Sequence, residues 1–380
     1  MKRTIYEDVH EDFRGSVRQF LVKEALPNTE RWEAAGLVDR EFWRKAAAQG
    51  LVGFAAPEEL GGTGASDFRF NAIINEEMAA TGAVGDNLNL LNDIVAPYLL
   101  EQTTADQRAR WVPDVTTGER IWAIAMSEPA AGSDLRGMRA TARRRGGDWV
   151  LSGSKTFITS GIQADWVIVA AHVHGDGPSG GLGLFAVPAT ADGFTRGRKL
   201  AKVGHKAQDT AELFFDEVVV PGEDLIGAPG QGMDIMKANL PQERLSMAVT
   251  AISAAERALE ITIDYVRERK AFGRSIGAFQ NTRFVLAEAV TEVRVGRAFV
   301  DRCIEAHTAG ELDHVEAAGA KLWATELQFR IMDQCLQLHG GYGYMDEYEI
   351  SRLWRDARVT RIYGGTSEIM KEIVGRSLRL

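Results

Sequence analysis

The side chains best suited to chemistry in this 380-residue chain cluster in a few short segments. Leu240-Pro-Gln-Glu-Arg-Leu245 sets a carboxylate, Glu243, beside a guanidinium, Arg244. A carboxylate abstracts a weakly acidic proton well when desolvation raises its pKa. On an exposed helix the same two residues read as solvated charges that do not face each other. Ile124-Ala-Met-Ser-Glu-Pro-Ala-Ala-Gly-Ser-Asp134 reads as a strand entering a turn, and Lys155-Thr-Phe-Ile-Thr-Ser-Gly161 follows it. Such a turn exposes N–H groups and hydroxyls that suit the polar edge of a ligand, and equally suit any loop. Tyr265-Val-Arg-Glu-Arg-Lys-Ala-Phe-Gly-Arg274 ends a helix in cations, an ordinary match to the helix dipole. The fork of Arg269 would also suit two phosphate oxygens. In Gln337-Leu-His-Gly-Gly-Tyr-Gly343, repeated glycine allows a turn at positive φ and a close approach to something bulky. The last such segment is Arg361-Ile-Tyr-Gly-Gly-Thr-Ser-Glu-Ile-Met-Lys371. His339 is the only histidine in these segments and reads as a packing or capping residue. Histidines elsewhere show no paired spacing, so no metal is expected.

Three kinds of element must position these groups. Phe13, Val17, Phe20 and Leu21 form the apolar stripe of a helix. Asp39–Gly50 reads as a short helix with Asp39 placed to cap it. Pro57–Gly64 is a Gly-rich loop before another helical run ending near Gly82, and helices are expected over 93–100 and 106–117. After about Arg120 the texture changes to short β-branched and aromatic runs. These are Trp149–Leu151, Phe157–Thr159, Trp166–Ala170, Leu182–Val187 and Glu212–Phe215, as in a small antiparallel domain. Val173–Gly183 reads as a long Gly-rich turn. From about Gly230 the helical period returns, with stripes through Leu245–Val266, Leu286–Ile304 and Ala320–Leu338 that must bury against one another. The expected domains are 1–120, 121–231 and 232–380.

Composition narrows the function. The net charge of −9 argues against nucleic acid as partner. The one tight basic run, Arg143–Arg145, reads as a solvated hairpin tip. Cys303 and Cys335 lie in helical stripes and read as reduced core thiols of a cytoplasmic protein. The chain start has no apolar leader pattern, and no run of apolar residues is long enough to span a membrane.

Together the segments resemble the signatures of acyl-CoA dehydrogenases, flavoenzymes that set a double bond between Cα and Cβ of an acyl-CoA thioester. Most members carry the catalytic Glu where this chain has Gly364. The isovaleryl and long-chain branches take the base from the position of Glu243, and Gln-Glu-Arg-Leu here is similar to theirs. The resemblance implies Glu243 as base, with the backbone N–H of Gly364 retained as a donor to the thioester oxygen. It implies that the backbone of Met126 and Ser127 meets the pyrimidine edge of FAD. Phe157 would cover a ring face and Thr159 would bond near N5; read from the residues alone, Phe157 is a core aromatic. Ser133, Arg244 and Tyr363 match the substrate side, although Arg244 also reads as a simple ion-pair partner. Arg269, Phe272 and Gln280 match the diphosphate and adenosine contacts to a neighbouring subunit. Gln337, Gly340 and Gly341 match the element completing that site, and Thr366 and Glu368 match the remaining flavin contacts.

The implied fold is α+β and multi-domain: an N-terminal α-helical domain, a middle antiparallel β-barrel-like domain and a C-terminal four-helix bundle. The implied partners are an acyl-CoA, an electron-transfer flavoprotein and further copies in a homotetramer. Two other readings stay open: an oxidase or monooxygenase of the same fold, and a non-catalytic binding subunit. Retention of Arg269, Thr159 and Glu243 speaks against the second. Acyl chain length depends on packing that the sequence does not state.

Overall fold

Amphipathic stripes find their partners first within the N-terminal third. The computed structural model describes residues 3–84, 87–174 and 180–380. Its first helices are α1 Asp8–Phe20, α2 Thr29–Ala35, α3 Arg40–Ala48, α4 Phe68–Thr81, α5 Asn87–Asn89, α6 Ala96–Glu101 and α7 Ala105–Thr116. Val17, Phe20 and Leu21 of α1 are buried, and Phe20 lies 5.4 Å from the Phe42 ring of α3. Asp39 precedes α3 but makes no capping bond. Its carboxylate instead takes Arg31 Nη1 at 3.0 Å, because an ion pair to a nearby guanidinium outcompetes a cap. The expected helix over 93–100 is interrupted: Leu90–Val95 is a π turn between α5 and α6.

The middle of the chain forms one sheet. Its strands are β1 Trp122–Ala125, β2 Thr141–Arg145, β3 Asp148–Thr159, β4 Trp166–His174, β5 Leu182–Pro188, β6 Phe194–Lys199, β7 Thr210–Val220 and β8 Leu225–Ile226. The order is β6-β7-β3-β2-β4-β5-β8, with β1 on β4. Most pairs are antiparallel, and β1 and β2 both run parallel to β4. Two runs that read separately, Trp149–Leu151 and Phe157–Thr159, belong to the single strand β3. The basic run lies on the exposed end of β2, where Arg143 pairs with Glu217 at 2.9 Å. Of the turn Val173–Gly183, residues 175–179 lie outside the described residues.

The C-terminal part comprises α8 Gly232–Glu268, the small hairpin β9 Lys270–Ala271 and β10 Arg274–Ser275, then α9 Gln280–Thr308, α10 His314–His339, α11 Glu349–Thr360 and α12 Ser367–Ser377. The three stripes read from the sequence meet in one core that includes Val249, Ile252, Val293, Val300, Ala324, Leu327 and Ile331. α4 joins this core to the N-terminal one, since Ala72 packs in the first and Ile73 and Ile74 in the second. Cys303 and Cys335 are free and buried, and burial pushes both thiols up to about 11. Among the described residues no helix is long and apolar enough to cross a membrane.

The helical parts are also tied by charge. Glu76 of α4 pairs with Arg3 at 2.7 Å, Arg14 at 2.8 Å and Arg297 of α9 at 3.1 Å. Burial raises its pKa, but the three guanidinium groups overcome that and hold the carboxyl at about 2. Ionised Glu76 thus contributes stability above the ordinary carboxylate range, lost as pH falls toward 2. Glu76→Ala leaves buried arginines without their partner and is expected to cost about 3–5 kcal/mol in chemical denaturation at neutral pH.

Candidate active site

Helix α8 is 37 residues long and carries Pro241 in its interior, two residues before Glu243. Proline has no N–H, so the carbonyl of Lys237 loses its helical donor at this point. Glu243 points inward and is 7% exposed. Tyr98 of α6 donates to its Oε1 at a long 3.3 Å. Burial drives the carboxyl pKa up to about 7, opposed by the Tyr98 hydroxyl and the Arg244 charge. Burial and the Glu243 charge in turn push Tyr98 well above its ordinary value, so it stays a donor.

The π turn fixes this stretch of α8 from both sides. Gln242 Nε2 donates to the Asp93 carbonyl at 2.9 Å, and Ser246 Oγ donates to the Asp93 carboxylate. Asn71 and Asn75 of α4 donate to the same carboxylate at 2.7 and 2.8 Å. Burial nevertheless raises Asp93 to about 6. Tyr98, Asp93 and these asparagines were absent from the sequence reading. Tyr98 and Glu243 are separated by 145 positions, and no local pattern announces such a contact.

Gly364 and Gly365 turn the chain into α12 with φ of +64° and +96°. Thr366 then caps α12, accepting the Ile369 N–H at 3.3 Å. A Cβ at position 364 would collide with the Sδ and Cε atoms of Met247. Met247 lies one turn after Glu243 on α8, so the space a side chain at 364 would need is already filled. The N–H of Gly364 remains. Tyr363 is 38% exposed beside this turn. Arg244 is 5% exposed and its Nε has no partner among the described residues, so a guanidinium stands ready for an anionic or carbonyl group.

The expected flavin contacts lie in the turn after β1, on β3 and at the start of α12. Lys155 and Glu128 form a buried pair at 2.8 Å, and Lys155 also donates to the Met126 carbonyl at 3.0 Å. Thr156 N–H donates to Ser127 at 2.9 Å, so the Met126–Ser127 backbone is held rigidly against β3. Pairing of β3 with β7 slips between Lys155 and Ile158. That bulge puts Phe157 at φ 61° and turns its ring outward, 71% exposed. The core reading of Phe157 is therefore wrong. Thr159 ends the strand opposite Thr210. Ser133 is exposed in the turn.

A second cluster forms at the far end of α8. Arg269, Gln337, Gly340 and Gly341 line an open cavity of about 560 Å³. Arg269 lies over the Tyr342 ring at 5.2 Å and has no carboxylate partner among the described residues. His339 stacks on Tyr265 at 4.3 Å and is buried, in keeping with a packing role. Phe272 is 95% exposed at the β9–β10 tip and Gln280 opens α9. Thr366 and Glu368 sit apart from this cluster, at the start of α12.

Family models named for acyl-CoA dehydrogenases match three successive stretches: the N-terminal domain over residues 7–119, the middle domain over 123–218 and the C-terminal domain over 230–379. The chain belongs to the acyl-CoA dehydrogenase family. Its members are FAD enzymes that dehydrogenate acyl-CoA thioesters. The chain is similar to the long-chain specific acyl-CoA dehydrogenase, mitochondrial, of Rattus norvegicus, 47% identical over 99% of this chain and 88% of the relative. A solved acyl-CoA dehydrogenase from Geobacillus kaustophilus superposes with a TM-score of 0.95 at 45% identity, covering 99% of each chain. An acyl-CoA dehydrogenase from Bacillus anthracis, solved in complex with FAD, matches with a TM-score of 0.90 at 28% identity, over all of this chain and 70% of that one. The residues fit the cofactor: Phe157 turns an aromatic face outward, 71% exposed, and the Arg269 guanidinium has no carboxylate partner among the described residues.

The Gly364 turn makes a test of local geometry. Gly364→Ala is expected to lower stability by about 1–3 kcal/mol, from the left-handed backbone and the Met247 contact. Gly15→Ala, in the exposed middle of α1 with open space around it, is expected to raise stability by about 0.5–1 kcal/mol. Paired urea denaturation curves read both signs.

Proposed function

We propose that the chain desaturates a long-chain acyl-CoA with Glu243, in place of a residue at 364, as the base that removes the α-proton. The observation that carries this reading is the buried Glu243 carboxyl, whose pKa desolvation raises to about 7, with Met247 filling the space that a side chain at 364 would need. Such a group is a strong base when ionised and is ionised in useful amount near neutral pH. The Gly364 N–H would donate to the thioester oxygen as negative charge grows there. Arg244, Ser133 and Tyr363 would hold the CoA and thioester end. Bound FAD would accept the hydride from Cβ. Met126, Ser127, Phe157, Thr159, Thr366 and Glu368 would hold its ring and ribityl portion and keep water away. Arg269, Phe272, Gln280, Gln337, Gly340 and Gly341 would reach the diphosphate and adenosine of a neighbouring subunit's cofactor.

The likeness to a relative named for long-chain substrates supports a long acyl group. An electron-transfer flavoprotein would take the electrons onward. A homotetramer is supported by exposed apolar residues on α9 and α10, among them Phe284 at 58%, Val295 at 59% and Trp323 at 45%. Buried, unpaired thiols suit a reducing cytoplasm.

Anaerobic flavin bleaching across short-, medium- and long-chain thioesters, straight and branched, tests the reading. Long straight chains are expected to bleach the enzyme fastest. Glu243→Gln is expected to slow bleaching by about 10²- to 10⁴-fold; bleaching at the parent rate would remove Glu243 from the mechanism. The carboxylate is the active form, so kcat/KM should rise with pH through about 7 and level off above. Tyr98→Phe deletes a donor that favours the carboxylate, so it should move that limb to higher pH. Because the folded pKa is raised, stability is lost as pH rises from the ordinary carboxylate range through about 7, and the full cost of ionised Glu243 is present above that. Glu243→Gln should therefore be the more stable protein at pH 8, by about 3 kcal/mol as an upper bound.

A further inference from the structure

Lys321 of α10 is fully buried, and none of the roles above uses it. Among the described residues no carboxylate pairs with it, and its ammonium donates to the carbonyl oxygen of Gly365. An ammonium taken out of water without a direct ion pair is expensive, and an apolar side chain would serve the core better. Burial, helped by the Arg244 charge and opposed by the more distant Glu326 and Glu368 carboxylates, lowers its pKa to about 8. A role in core packing does not explain such a group.

Its partner does. The turn between α11 and α12 contains two successive glycines at positive φ, which left alone would sample many conformations. α10 grips that turn at both ends through Glu326. Arg361 Nε donates to Glu326 at 2.9 Å, and Ser367 Oγ donates to it at 2.6 Å. Lys321 lies on the same helix and grips the middle. Met247, against Gly364, ties the same turn to the helix that carries Glu243.

We infer that Lys321 is a positioning residue for the thioester oxygen: by fixing the Gly365 carbonyl it holds the Gly364 N–H where negative charge develops as the α-proton leaves. The inference rests on the dehydrogenase reading given above. Lys321 is sealed from solvent and acts through the turn.

The test uses the holoenzyme and a 3-oxoacyl-CoA of the preferred chain length. Its α-proton is acidic, and its enolate is read by the long-wavelength absorbance it gives beside oxidised flavin. A strong oxyanion site lets the bound probe ionise well below its pH of ionisation in water. Lys321→Met, carrying full flavin and with KM within about threefold of the parent, should need about one pH unit more to ionise the probe. Its kcat should fall about tenfold, short of the hundredfold or more lost when such a donor is removed outright. Lys321→Arg, which keeps donor and charge, should recover part of both. Should Lys321→Met fail to retain flavin, Lys321→Gln, too short to reach Gly365, is read by the same titration and must show the same shift. Parent-like probe ionisation and kcat in the flavin-loaded variant overturn the role of Lys321 alone. A parent enzyme that does not acidify the probe at all overturns the dehydrogenase reading itself.

Discussion

The structure turns on keeping one carboxylate out of water. Among the described residues Glu243 has one long hydrogen bond, from Tyr98, and almost no solvent contact. A charged group so placed pays a desolvation cost that must be offset by the packing around it. The offset comes from distance: α4, α6 and the π turn all converge on the same two turns of α8. Asp93 takes four side-chain or backbone ties at that point, on residues 71, 75, 242 and 246. A helix held at both flanks of Glu243 leaves the side chain little freedom to swing out to water.

The second constraint is steric. By the resemblance, Gly364 stands where most relatives carry the base, and there a lost carboxylate and a relocated one would look alike. They differ in what fills the space. Met247, one turn from Glu243 on the same helix face, fills the space beside Gly364, so under the proposed mechanism α8 supplies both the acid and that filling. The backbone N–H at 364 is unaffected by either change. The proposed acid and donor sit on different elements, α8 and the turn before α12, with Met247 and Lys321 linking them.

Much of the architecture was readable from periodicity. The stripes of α8, α9 and α10 meet in one core because steps of three and four leave each helix a single apolar side. β6, whose Phe-Thr-Arg-Gly-Arg-Lys is mostly charged and exposed, gave no such signal and was missed. Phe157 shows the opposite failure: its residue type and strand context point inward, and only a one-residue slip against β7 reverses it. Tyr98, Asp93 and Lys321 were beyond reach for a different reason. Each acts through a contact across many positions, and an isolated Tyr, Asp or Lys inside a helix reads as nothing more than a surface or core residue. Glu243 itself was found through resemblance; its burial and the pKa that follows are properties of the fold.

The central claim is that the Glu243 carboxyl titrates near neutrality. Infrared difference spectra of the holoenzyme against Glu243→Gln, taken across pH, isolate the band of that one protonated carboxyl. The account predicts that the band is present at pH 6 and lost with a midpoint of about 7. A midpoint near the ordinary carboxylate value would mean that Glu243 is solvated, and would contradict the account.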